Sequence, residues 1–161
     1  MKNLLLVLLL IPAFLSCQHS PFSHRYTTEK PEVIDIVGVY EFDFQTVDDN
    51  LNSEDLKAKP PEIVIKPNGT FEIRRLPVFK KKGIAEYKFE RAVFRSGKWS
   101  LETLGSIDNG WGNVDRHWGL VLDSVPEELK YAGFLGRDKV NGIIFGYGDP
   151  DAGNVMIFNK K

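Results

Sequence analysis

The stretch Glu62-Ile63-Val64-Ile65-Lys66-Pro67-Asn68-Gly69-Thr70-Phe71-Glu72-Ile73-Arg74 decides the fold class of this chain. Ile63 and Ile65 share one face of an alternating run, Phe71 and Ile73 share one face of the next, and Pro67-Asn68-Gly69 lies between them. Side chains alternate across a strand with period two, and an Asn-Gly pair between two such runs favours the tight turn of a β-hairpin. Upstream, Gly38-Val39-Tyr40-Glu41-Phe42-Asp43-Phe44-Gln45 alternates in the same way and predicts Tyr40, Phe42 and Phe44 on one face. Downstream, Trp99 and Leu101 fall on one side of Arg95–Leu101, and Trp118, Leu120 and Leu122 on one side of His117–Asp123.

The chain closes with the runs Gly142–Gly148 and Asn154–Asn159, joined by Asp149-Pro150-Asp151-Ala152-Gly153. In that turn Asp supplies local hydrogen bonds and Gly supplies positive φ. Tyr131–Arg137 reads as a further strand, paired with the run that starts at Asn141. Ser53–Ala58 predicts a capped helical turn stopped by Pro60 and Pro61, whereas Gly83–Val93 fits either a short amphipathic helix or a bent strand. Seven or eight short strands joined mostly by tight turns predict an all-β fold, a small antiparallel barrel. Closure of such a meander removes the exposed edges through which sheets aggregate.

Gly38-Val39-Tyr40, the Pro67–Phe71 hairpin, Gly97-Lys98-Trp99 and the terminal Gly148–Gly153 turn occur in this order. In that order they resemble bacterial lipoproteins with lipocalin-like barrels, and the resemblance spans about Val37 to Lys160. It implies a calycin-like barrel. Lipocalins proper carry Gly-x-Trp on the first strand, and here Tyr40 stands in that place. A fold hosts many functions, so ligand carriage does not follow from it.

The N-terminus agrees with that resemblance. Lys2, an apolar run from Leu4 to Ile11 and then Phe14-Leu15-Ser16-Cys17 are similar to a bacterial lipoprotein signal, in which the cysteine becomes the acylated N-terminus. The run is shorter than the roughly 20 apolar residues a spanning helix needs. Cys17 is the single cysteine, so it has no disulfide partner within the chain. The alternative is ordinary secretion with Cys17 left over. The reading gives residues 1–16 as signal peptide, 17–35 as lipidated cysteine and flexible tether, and 36–161 as the barrel domain. More than one acyl chain makes anchoring stable. Gln18 in place of Asp after the cysteine favours the outer membrane, by resemblance to enterobacterial sorting.

The balance of 21 basic and 22 acidic residues lacks the basic footprint of a nucleic-acid binder. Charge is unevenly spread, however. Arg74, Arg75, Lys80, Lys81, Lys82, Lys88, Arg91, Arg95 and Lys98 face only Glu86 and Glu90 between Arg74 and Lys98. Near an anionic bilayer each basic residue is worth about 1 kcal/mol. Lys80, Lys81 and Lys82 are therefore candidates for contact with anionic lipid or glycan phosphate, against a plain solvated edge.

Catalytic and metal chemistry find little support. His19 and His24 lie in the expected tether and His117 on the solvated face of its strand, so no zinc ligand set is assembled. No Gly-x-Ser-x-Gly occurs, and no serine is coupled to His117 by spacing. Asp149 and Asp151 fail an EF-hand register, with Asn154 where Gly is needed and Lys160 where Glu is needed. No cofactor is expected. Trp111, set among Gly110, Gly112, Asn109 and Asn113, is a candidate for capping the barrel mouth or contacting a partner. The expectation is a lipid-anchored envelope protein with a non-enzymatic binding or structural role. The alternatives are a carrier of a small apolar ligand, a partner-binding module or inhibitor, and, last, an envelope enzyme.

Overall fold

The computed structural model describes residues 21–51, 53–83, 86–108 and 114–161. Residues 1–16, Cys17, His19 and Trp111 lie outside them, and so do the signal, lipid-attachment and partner-contact expectations that fall there. The described strands form a closed antiparallel barrel in sequence order. They are β1 (Gly38–Gln45), β2 (Glu62–Ile65), β3 (Thr70–Lys81), β4 (Tyr87–Asp108), β5 (Val114–Leu122), β6 (Tyr131–Leu135), β7 (Gly142–Gly146) and β8 (Val155–Lys160). β8 returns to pair with β1, with Tyr40 opposite Lys160 and Phe42 opposite Phe158. The eight-stranded meander is the architecture the alternation predicts.

Short helices decorate the ring: α1 (Val33–Ile36) before β1 and α2 (Ser53–Ala58) after it, the latter where the sequence places a helical turn. The open question at Gly83–Val93 resolves as strand from Tyr87 onward. β3 and β4 make one long hairpin, with Ile73 opposite Arg95 and Lys81 opposite Tyr87. Its register shifts between Ile73 and Leu76, where Arg75 adopts φ 57° and gives its guanidinium to the Pro60 carbonyl at 3.0 Å. Such a bulge sharpens the twist that lets the sheet curl shut.

The lumen is filled. Tyr40, Phe71, Phe79, Phe134, Phe145 and Phe158 are fully buried, packed with Ile63, Ile65, Ile73, Leu120 and Leu122. An eight-stranded barrel is just wide enough for side chains to fill it. The buried Tyr40 hydroxyl donates to the Ile36 carbonyl at 2.5 Å, which ties α1 across the end of the barrel. Trp99 is half-buried at the edge of this core, and its indole N–H donates to the Lys66 carbonyl at 3.1 Å.

Phe44 departs from the expected face. The β1–β8 register shifts between Phe42 and Phe44, so the bulge at Asp43 turns Phe44 away from the Tyr40 side. It joins a second apolar cluster built on Leu135, Ile144, Val155 and Ile157. That cluster is covered by Phe22 and Tyr26, residues assigned by the sequence reading to a flexible tether. The segment from Pro21 to Lys30 is instead a strap laid on the barrel. The Thr27 N–H donates to the Phe134 carbonyl at 3.1 Å, the Trp118 N–H donates to the Thr27 carbonyl at 3.0 Å, and the Gly136 N–H donates to the Arg25 carbonyl at 2.8 Å. β5 and β6 pair only from Gly119 to Val121, and Thr27 bonds to the strands on both sides just beyond that pairing. A strap held by isolated contacts leaves no period in the sequence, which is why composition read it as linker.

Candidate functional site

In an antiparallel meander, alternate connections lie at the same end. The links after β1, β3, β5 and β7 form one rim, called here the upper rim. The opposite, lower rim carries the links after β2, β4 and β6, the entry to β1 and the exit from β8. Lys80 and Lys81 end β3 and Lys82 opens the turn, so all three sit at the upper tip of the β3–β4 hairpin. All three are exposed. The Lys82 N–H donates to the Glu86 carbonyl at 2.8 Å, which closes the turn.

The hairpin is braced from inside. Phe79 is fully buried and packs edge-on against Tyr147 with ring centroids 5.3 Å apart, and Tyr87 meets the same ring at 5.8 Å. Burial, with the Glu128 carboxylate as a smaller contributor, pushes the Tyr147 hydroxyl well above its ordinary range. From the β1–α2 loop, buried Asp48 accepts the Phe89 N–H at 2.9 Å and lies 3.4 Å from the Lys88 ammonium. Burial pushes this carboxyl up, but the donors of Phe89, Asn50 and Lys88 outweigh it and hold the group below the usual carboxylate range. Gln45 shapes that loop, with its Oε1 accepting from the N–H groups of Val47 and Asp48. Asp48 was not singled out in the sequence; only the polar run Asp48-Asp49-Asn50 after a strand hinted at a tied loop.

The basic cluster read from sequence is sorted by the fold. Arg74 pairs with Glu62 at 2.7 Å and Glu72 at 3.2 Å, Lys88 with Asp48 and Glu86, and Arg91 with Glu90. Arg75 and Arg95 are turned to backbone carbonyls. Among the described residues no carboxylate lies within salt-bridge distance of Lys80, Lys81, Lys82 or Lys98. The three hairpin lysines are thus a concentrated, uncompensated charge on a braced projection.

The remaining chemistry-bearing residues are dispersed. His24 is exposed in the strap. His117 is not the solvated residue expected: its ring stacks on Tyr26 with centroids 4.4 Å apart, and its Nδ1 is enclosed without a hydrogen-bond partner among the described residues. Burial lowers its pKa below the ordinary imidazole value. The strap that the sequence took for linker is what covers it. Asp149 Oδ1 accepts the Asp151 N–H at 3.1 Å, so the terminal aspartates cap their own turn. Among the described residues no three His, Cys, Asp or Glu side chains gather as a metal site needs. Comparisons with family models, curated proteins and solved structures find no match to this chain.

Proposed function

We propose that this chain is a lipid-anchored protein of the bacterial envelope, with the outer membrane favoured, and a non-enzymatic binding role. In this reading the barrel is a rigid scaffold that stands on the bilayer by its upper rim. Lipidated Cys17 holds it there, and Lys80, Lys81 and Lys82 contact anionic lipid or glycan phosphate.

One relationship carries the reading: the strap begins on the rim that carries the lysines. A Cβ built on Gly153 would lie 3.2 Å from Pro21 Cγ, so Pro21 rests on the β7–β8 turn. Tyr147, at the start of that turn, packs on Phe79 and Tyr87 at the base of the lysine hairpin. Cys17 lies four residue steps before Pro21, a span of at most about 14 Å when extended. An acylated Cys17 therefore keeps the upper rim, with its three lysines, close to the headgroups. The lipocalin-like resemblance is compatible with this, but a lumen filled by aromatic side chains supports a scaffold over a carrier.

The anchor is tested by the mass of the N-terminal peptide from protein expressed in a bacterial host. The expected product begins at Cys17 and carries acyl chains, and Cys17→Ser leaves the membrane fraction. An unmodified thiol at Cys17, or an intact N-terminus in the mature protein, overturns the reading.

A further inference from the structure

The lower rim carries a second gathering of positive charge, formed by segments about twenty residues apart. The β6–β7 loop and the end of β8 line a groove of about 480 Å³ that includes Arg137, Asp138, Lys139, Asn141, Lys160 and Lys161. That volume lies within the range of small-ligand sites. Lys161 pairs with Glu41. Lys160 is half-buried: a Cβ built on Gly38 would lie 2.7 Å from its Cε, and its ammonium donates to the Asp35 carbonyl at 2.5 Å and stands 6.0 Å from the Tyr40 ring centroid. Among the described residues no carboxylate comes within salt-bridge distance of Lys160, Arg137 or Lys139.

Burial and the neighbouring Lys139 ammonium lower the Lys160 pKa, with Asp35 opposing them. A half-buried cation held by a carbonyl dipole and a ring face is short of negative charge. The loop is a tight turn that requires glycine at its start. Gly136 adopts φ +106°, and a Cβ there would overlap the Lys139 carbonyl at 2.0 Å. The Gly136 N–H is taken by Arg25 and that of Asn141 by Leu135, whereas those of Arg137, Asp138 and Lys139 meet no acceptor among the described residues. Successive N–H groups of a turn without protein acceptors, beside cations, are donors that an anion can take up.

We propose that this lower-rim groove binds a small phosphate-class anion, held by Arg137, Lys139 and Lys160 with the loop amides. Cations from two segments plus backbone donors match a group with three acceptor oxygens better than a monocarboxylate. The groove lies opposite the lysine hairpin, so it does not depend on the upper rim meeting a membrane.

The test is a titration of the full chain in zwitterionic detergent, followed by the amide resonances of Arg137, Asp138, Lys139 and Lys160. Inorganic phosphate is expected to shift them saturably, while chloride at equal ionic strength does not. Joint Arg137→Gln and Lys139→Gln substitution weakens the response about tenfold, whereas Lys80→Gln, Lys81→Gln and Lys82→Gln together leave it unchanged. An unaltered thermal midpoint shows that the doubly substituted chain is folded. Phosphatidylglycerol vesicles, compared with phosphatidylcholine, separate the sources. Groove shifts with the former that inorganic phosphate fails to displace assign the phosphate to a lipid headgroup. Linear shifts shared with chloride, or an equal response in the folded double variant, overturn the proposal.

Discussion

Asp48 Oδ2 accepts the backbone N–H of Phe89 at 2.9 Å, across 41 residues of chain. This single carboxylate fastens the β1–α2 loop to the strand that leaves the lysine hairpin, and it is only 5% exposed. A buried hydrogen bond to a charged group is worth about 1.5–3 kcal/mol. Asp48→Ala is therefore expected to lower unfolding free energy by about 2 kcal/mol, read from urea denaturation. Because the folded pKa is depressed, the contribution is complete above the unfolded value of about 4 and is lost as pH falls through the folded value. The wild type should lose stability in that acid window more steeply than the variant, and parallel pH profiles would contradict the account.

His117 titrates in a different window. Its folded pKa is lowered by burial, so between the folded and unfolded values the unfolded chain binds the extra proton. Stability is full above about pH 6.5, falls as pH drops below it, and levels once the folded value is passed. His117→Phe keeps a ring against Tyr26 and removes the titration. Urea midpoints at pH 8 and pH 5.5 should converge in the variant relative to wild type.

The strap makes its own prediction. Thr27 is 3% exposed and its hydroxyl donates to the Gly136 carbonyl at 2.5 Å. Thr27→Val removes that donor at a cost of about 1 kcal/mol. Hydrogen exchange should then quicken first at the Trp118 and Gly136 amides, which bond to strap carbonyls. Uniform acceleration across all eight strands would mean the strap is not a separate unit.

Phe158 tests whether the lumen is packed or hollow. It is fully buried between Phe42 and Phe145, with ring centroids at 5.9 and 6.0 Å. Phe158→Ala in a filled core costs about 3–5 kcal/mol. A loss well under 1 kcal/mol would point to existing empty space and revive a carrier role.

Much of this fold was legible in the residues themselves. The Glu62–Arg74 hairpin, the Gly38–Gln45 strand and the terminal hairpin each carry period two with turn residues at their ends, and each is where it was expected. What escaped is what periodicity does not encode. One bulge at Asp43 sent Phe44 to the outer cluster. The strap binds through Phe22, Tyr26 and Thr27 singly, so its sequence resembles linker. Lys80–Lys82 were visible as a contiguous run, but which of their basic neighbours are neutralised depended on cross-strand partners. Arg137, Lys139 and Lys160 line one groove only because the β6–β7 loop and the end of β8 share a rim.

The central claim is that the upper rim faces the membrane, and depth of immersion tests it most directly. Single fluorophores would be placed at position 81 (Lys81→Cys) and, separately, at position 138 (Asp138→Cys), in lipidated protein reconstituted into phosphatidylglycerol-containing vesicles with a headgroup quencher. The label at 81 should be strongly quenched, and less so at high salt as charge contact is screened, whereas the label at 138 should remain bright. Equal quenching at both sites, or stronger quenching at 138, would contradict the orientation.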